Sequence, residues 1–161
     1  MIIVIMGVSG SGKSTIGRSL AAELGWPFFE GDDFHSAANV EKMANGIALT
    51  DADRADWLAA LAHLIRDLSR DRRSGVLACS ALKQSYRETL GQNISNVQFI
   101  YLKGDYDLIL KRLQARQGHY MRSELLKSQF EALEEPGQAL VVDVAQPVAI
   151  IVRQIRQAFD L

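Results

Sequence analysis

Cysteine is almost missing from this chain: Cys79 is the single instance in 161 residues. That excludes a disulfide framework and most cysteine-based zinc sites, and it suits a reducing, cytoplasmic setting. Three scattered histidines make no metal site. An excess of one charge is missing too. Eighteen basic against nineteen acidic side chains leave a formal charge of −1. That balance argues against binding nucleic acid through bulk charge, while permitting a local basic pocket. Long apolar runs are also lacking. The clean opening run, Met1 to Met6, is far shorter than the roughly 20 residues that cross a bilayer. It has neither the basic leader nor the cleavage site of a secretory signal. The expectation is a cytoplasmic protein without membrane contact. Core-forming material, by contrast, is ample: 48% of residues are apolar and 23% charged, which opposes disorder. The length fits one domain spanning 1–161.

Apolar runs alternate with helical patterns along the chain. Ile2 to Met6 is a continuous, largely β-branched run stopped by Gly7, the pattern of a strand buried on both faces. Ile16, Leu20 and Leu24 then recur at four-residue spacing before Gly25, which predicts a helix over 13–24. Phe28 to Glu30 reads as a second short strand. A polar stretch from Gly31 to about Thr50 reads as loop, with a short helix near Val40 to Ala44. Thr50-Asp51-Ala52-Asp53 has the form of a capping box, opening a long helix with Trp57, Leu58, Leu61, Ile65 and Leu68 on one face. Gly75 to Cys79, Val97 to Leu102 and Ala139 to Val144 read as three further buried strands. Helices are predicted near Leu82 to Leu90, around Tyr106 to Leu113 with Arg112 outward, and after Pro147. Five buried strands separated by helices predict a parallel, doubly wound α/β sheet with helices on both faces. The connection 117–136 is longer than needed and carries its own helical pattern, which suits an inserted helical lid or, more plainly, an ordinary surface helix.

The strongest motif is Gly7-Val8-Ser9-Gly10-Ser11-Gly12-Lys13-Ser14, a match to G-x-x-x-x-G-K-[ST] at every fixed position. Small residues let successive backbone N–H groups curl around phosphates, and the helix start at Lys13 adds its dipole. Lys13 would reach the β and γ phosphates, and Ser14 would hold Mg²⁺. With Thr15 in the first turn, residues 7–15 form a nucleoside triphosphate site.

Glu30-Gly31-Asp32-Asp33-Phe34-His35 follows the second strand, where ligands of such sheets collect. Asp32 there suits a carboxylate that orients or deprotonates an acceptor hydroxyl; a solvated acidic turn is the plainer reading. The aspartate that often serves Mg²⁺ at the end of the third strand is replaced by Ser80. Lys83 and Arg87 stand four apart, as do Arg112 and Arg116, so each pair can share a helical face toward an anion or simply toward water. Cys79 reads as a small buried hydrophobe.

These residues resemble the P-loop gluconokinases, which phosphorylate D-gluconate to 6-phosphogluconate. The resemblance runs from Ile2 to about Pro136. It is carried by Gly7 to Thr15, Glu30 to His35, Asn39 with Glu41-Lys42-Met43, Asp53-Arg54, Trp57-Leu58, Cys79 to Lys83 with Tyr86-Arg87, Gly118 to Met121, and Ser128-Gln129-Phe130. It implies ATP as donor, Mg²⁺ as cofactor and a mobile lid. It also implies Asp32 beside the acceptor hydroxyl, with Arg54, Lys83 and Arg87 in the sugar-acid pocket and His35 on a sugar hydroxyl. Arg112 and Arg116 become lid-base arginines that neutralise the transferring phosphoryl group. On resemblance alone, adenine belongs near the stretch after Asp143. Family members are often homodimers, so a homodimer is an expectation from resemblance. The alternatives are a related kinase acting on another sugar acid or shikimate, or a non-catalytic ATP-binding regulatory module. At four places where the family commonly has proline, this chain has Ser36, Ala48, Asp56 and Arg122; each is expected to loosen its turn.

Overall fold

In a computed structural model, which describes residues 1–115 and 123–161, five strands form one parallel sheet. They are β1 (Ile2–Met6), β2 (Phe28–Glu30), β3 (Gly75–Ala78), β4 (Val97–Lys103) and β5 (Leu140–Asp143), in the order β2-β3-β1-β4-β5. β1 is flanked on both sides, with Ile5 opposite Ala78 of β3 and Ile100 of β4. Strand side chains alternate between faces, and the alternation assigns the two cores. Ile2, Val4, Met6, Leu77, Phe99 and Tyr101 face one side. There they meet Trp57, Leu58, Leu61 and Ile65 of helix α3 (Asp51–Arg70). Ile3, Ile5, Val76, Ile100 and Leu102 face the other. Helices α1 (Lys13–Leu24) and α7 (Val148–Ala158) cover that side through Ile16, Leu20, Ile151 and Ile155. The doubly wound α/β expectation is met.

The expectation of five fully buried strands holds in the centre and fails at the edges. All three residues of β2 are only half-buried, and β5 buries Val142 alone. These are the outer strands, each covered along one margin only.

The 31–50 stretch is more ordered than a loop. Gly31–Phe34 forms a 3₁₀ turn. Helix α2 (Ala37–Ala44) begins three residues before the expected start, because the Ser36 hydroxyl accepts the Asn39 N–H at 3.2 Å. Ser36 has φ −63°, the angle that proline would impose. Ser36 therefore holds the φ that a proline would impose and adds a side-chain cap. Ala48 is exposed, as is Asp56, which lies inside α3 and supplies the N–H that an interior proline lacks. The Thr50–Asp53 capping box is present in full.

Helix α5 (Tyr106–Ala115) and helix α6 (Ser123–Ala132) pack over the carboxyl end of the sheet. Val8, Leu82, Ile109, Leu113 and Leu126 bury one another there, with Phe130 alongside. Of the span 117–136, where a lid is expected, the described residues hold α6 and the segment after it. Arg116, Arg122 and the Gly118 to Met121 motif lie outside the described residues. Among the described residues no helix is long and apolar enough to cross a membrane.

Candidate active site

The chain runs from β1 outward to β2 and back to β3, then crosses β1 to β4. The carboxyl ends of β1 and β3 therefore flank the topological switch point, where such sheets bind ligands. Residues 7–12 leave β1 there. Gly7 N–H donates to Ser80 O at 3.2 Å, joining the two strand ends. Gly10 has φ +80°, and a Cβ on it would lie 2.6 Å from Leu113 Cγ; only glycine fits this turn. Helix α1 starts at Lys13 with no acidic residue in its first turn, so its N-terminal positive potential is undiminished. Lys13 Nζ donates to Val8 O at 3.0 Å. Ser14 is half-buried and Thr15 exposed in the same turn. The loop fits a triphosphate: its turns are open to the backbone, and a cation and a helix start converge on them.

Asp32 is carried to the same end of the sheet by close backbone packing. A Cβ on Gly31 would stand 2.4 Å from Ala78 O, so glycine lets the 3₁₀ turn lie against β3. Trp57 Nε1 donates to Gly31 O at 2.7 Å, fixing the turn to α3. His35 stacks on Trp57, with centroids 4.4 Å apart and planes 12° from parallel. The Asn39 carboxamide lies 3.5 Å from His35 Nδ1 and donates to Asp53 O at 2.7 Å. Asp32 itself remains exposed. Burial holds the His35 pKa below the usual imidazole value, against the pull of Asp32 and with a further push from Arg54. His35 is therefore a neutral hydrogen-bonding group at pH 7, with Asp32 and Arg54 both close to it. Burial pushes the Cys79 thiol up to about 12, with Lys13 opposing and Asp32 adding to the rise. Cys79 is an inert thiol, and Lys13 and Asp32 both act on this one strand end.

A cationic cluster lies next to this turn. Lys83 Nζ meets both oxygens of Asp51 at 2.8 and 2.9 Å. Tyr86 donates its hydroxyl to the same carboxylate. The Arg54 guanidinium and Lys83 Nζ stand 5.8 and 5.6 Å from the Tyr86 ring centre, and Arg54 also donates to Leu49 O. The bond from Lys83, then that from Tyr86, holds the Asp51 carboxyl below its ordinary range. Asp51 belongs to this cluster and escaped the sequence reading. Its place at the start of a capping box explained it fully, and nothing local ties it to Lys83, 32 residues away.

Two expectations change. Lys83 and Arg87 do not share an outward helical face. Helix α4 spans only Gln84–Thr89, with Lys83 as its extended N-cap, and Arg87 is 1% exposed. The Arg87 guanidinium donates to Ala81 O and Leu82 O, both at 3.0 Å, and to Gln84 Oε1 at 2.9 Å. Ala81 is buried with φ +44°, a left-handed conformation that costs an L-residue about 1–2 kcal/mol. Arg87 thus braces a strained loop from below, with its guanidinium buried and its Nε–H without a hydrogen-bond partner among the described residues. Arg87→Ala removes the guanidinium donor from the buried Ala81 O, leaves Leu82 O with only the Glu134 N–H, and opens a cavity. The expected loss is about 3 kcal/mol, read in thermal unfolding as a drop of roughly 6–12 °C for a chain of this size. Arg112, expected outward, instead donates to Val144 O at 2.7 Å. Val144 follows β5, at the sheet edge opposite β2 and Asp32. Arg112 is therefore held at the β5 edge of the sheet, away from the edge that carries Asp32.

A glycine-rich turn that fits a triphosphate at the end of β1, with a carboxylate and cations at the same end of the sheet, is the arrangement of a P-loop kinase. A shikimate kinase family model matches residues 9–154. The thermoresistant gluconokinase of Escherichia coli K12 is 46% identical over 155 residues, covering 94% of this chain and 89% of that protein. The Gluconobacter oxydans gluconokinase is 48% identical over 84% of this chain and 76% of its own length. A gluconokinase structure from Sinorhizobium meliloti superposes with a TM-score of 0.84 at 46% identity, over 94% of this chain and 87% of that one. Shikimate kinase from Aquifex aeolicus, at 18% identity and a TM-score of 0.64, shares the fold. The chain belongs to the gluconokinase family.

Proposed function

We propose that this protein transfers the terminal phosphoryl group of ATP to the 6-hydroxyl of D-gluconate, giving 6-phospho-D-gluconate and ADP. The observation that carries the reading is the meeting of Lys13, Asp32 and the Arg54–Lys83 cations at one end of the sheet. Backbone N–H groups of the glycine-rich turn and the first turn of α1 bind the phosphates, and Lys13 offsets charge on the β–γ bridge. Asp32 orients the acceptor hydroxyl and takes its proton. Arg54 and Lys83 pair with the gluconate carboxylate; the Lys83–Asp51 bond is partly exposed and exchanges partners readily. His35, neutral and held by Trp57, meets a sugar hydroxyl through its outer ring edge. Arg87 acts through the loop it braces. Arg112 and Arg116 neutralise the transferring group on closure, which for Arg112 requires leaving Val144.

Mg²⁺ fits the oxygen donors available, with Ser14 as its protein ligand. Among the described residues no three His, Cys, Asp or Glu side chains cluster, and Mg²⁺ held by one or two protein oxygens, phosphates and water needs no such cluster. Held there by the Ser14 hydroxyl, it would supply positive charge against that of the phosphates. A cytoplasmic setting and a homodimer complete the proposal; light scattering after size exclusion tests the latter.

Initial rates of ADP release with D-gluconate, D-glucose and shikimate test the pocket. D-gluconate is expected to saturate, and D-glucose, which lacks the carboxylate, to be far poorer. Lys83→Met and Arg54→Met should each raise the gluconate KM about tenfold or more, with kcat changed less than about threefold. Preference for shikimate, or unchanged KM in both variants, would contradict this pocket.

A further inference from the structure

Gln129 on α6 accepts a hydrogen bond from the backbone N–H of Ser9, 120 residues earlier, at 2.6 Å. The peptide that carries this N–H is held in a particular sense. Val8 O faces into the loop, accepting from Ser11 N at 3.3 Å and from Lys13 Nζ at 3.0 Å. A planar trans peptide points its C=O and the following N–H in opposite directions. The Ser9 N–H therefore faces out of the cradle, and Gln129 receives it there. The Val8 side chain packs in the same apolar cluster as Leu126 of α6. One helix thus holds a single peptide unit twice, by the side chain before it and the amide after it. Beyond the helix, Glu134 N–H donates to Leu82 O at 2.9 Å, and the Glu134 carboxylate accepts Gln84 N–H at 2.6 Å. The segment that holds the phosphate loop also holds the loop carrying Lys83.

We propose that Gln129 is a positioning residue for phosphoryl transfer. By receiving the Ser9 amide it keeps the Val8 carbonyl turned toward Lys13, and so sets the ammonium in register with the phosphates while α6 is seated. The inference rests on reading residues 7–14 as the triphosphate cradle. Without an acceptor at position 129 only the bonds that Val8 O accepts from Ser11 N and Lys13 Nζ set the sense of the peptide, and the neighbour of Lys13 is less firmly fixed. Alignment suffers, so kcat falls more than acceptor binding.

Two substitutions test this. Gln129→Met keeps the side-chain length and removes the amide oxygen, whereas Gln129→Glu keeps an acceptor at the same reach. Gln129→Met should lower kcat about tenfold, hold the gluconate KM within about twofold, and leave melting within a few degrees of the starting protein. Gln129→Glu should recover kcat to within about threefold at high salt, where screening weakens repulsion between the added charge and the triphosphate. Full kcat in Gln129→Met, or equal impairment of both variants at high salt, overturns the proposal. Lys13→Met in the same assay separates the two readings. If it turns over normally the cradle assignment is wrong; if it is inactive while Gln129→Met is unaffected, only the role of Gln129 is wrong.

Discussion

Asp32→Asn is expected to lower kcat by about a thousandfold, within the range of roughly 10²–10⁴ for loss of a positioned general base. The amide has nearly the same shape, so the 3₁₀ turn, set by Gly31 against Ala78 O and by the Trp57 bond to Gly31 O, should persist. Asp32 is exposed, and thermal unfolding should hardly register the change. The ATP KM should stay within about threefold, because the cradle is made by residues 7–15 on another strand end. Steady-state kinetics with both substrates varied separates these effects. Near-normal kcat in Asp32→Ala would remove this carboxylate from the chemistry altogether.

Lys13→Met should have a comparable or larger effect, a kcat loss of about a thousandfold with a raised ATP KM. A side-chain cation on the β–γ bridge meets charge that grows as the bond breaks, and removal of one such electrostatic group typically costs about 10²–10³ in rate. The loop should survive the change, because Val8 O keeps its bond from Ser11 N and Gly7 its bond to Ser80. Lys13→Arg should not rescue it, since a planar guanidinium does not occupy the place of a compact ammonium. Circular dichroism and melting at wild-type values, with turnover lost, would mark the effect as chemical. Retained turnover in Lys13→Met would place the phosphates elsewhere.

Features legible in the sequence were the local ones. The strand, glycine turn and helix at 2–24 all lie within one short segment, and the structure has the expected bounds. The Thr50–Asp53 capping box was likewise a matter of three-residue spacing. Where distant elements decide the outcome, the reading fell short. Spacing of four between Lys83 and Arg87 suggests a shared face only if the helix covers both. The left-handed Ala81 delays the helix to Gln84, and the guanidinium turns inward to brace that bend. Asp51 and Gln129 join the site through contacts across 32 and 120 residues, and no periodicity reports such pairs. The start of α2 depended on a serine hydroxyl where a proline was the family expectation. Of the proposed site residues, the cradle and Asp32 were therefore visible from motif and topology together, whereas the electrostatic partners of Lys83 needed the fold.

The most direct test of the proposed activity follows product and ADP together. The protein is incubated with ATP, Mg²⁺ and D-gluconate, and the phosphorylated species is identified by phosphorus NMR. One 6-phospho-D-gluconate per ADP, with ADP release dependent on gluconate, is the expected result. Tight ATP binding without acceptor-dependent ADP release, across D-gluconate, other sugar acids and shikimate, would contradict it and leave a nucleotide-binding regulatory module.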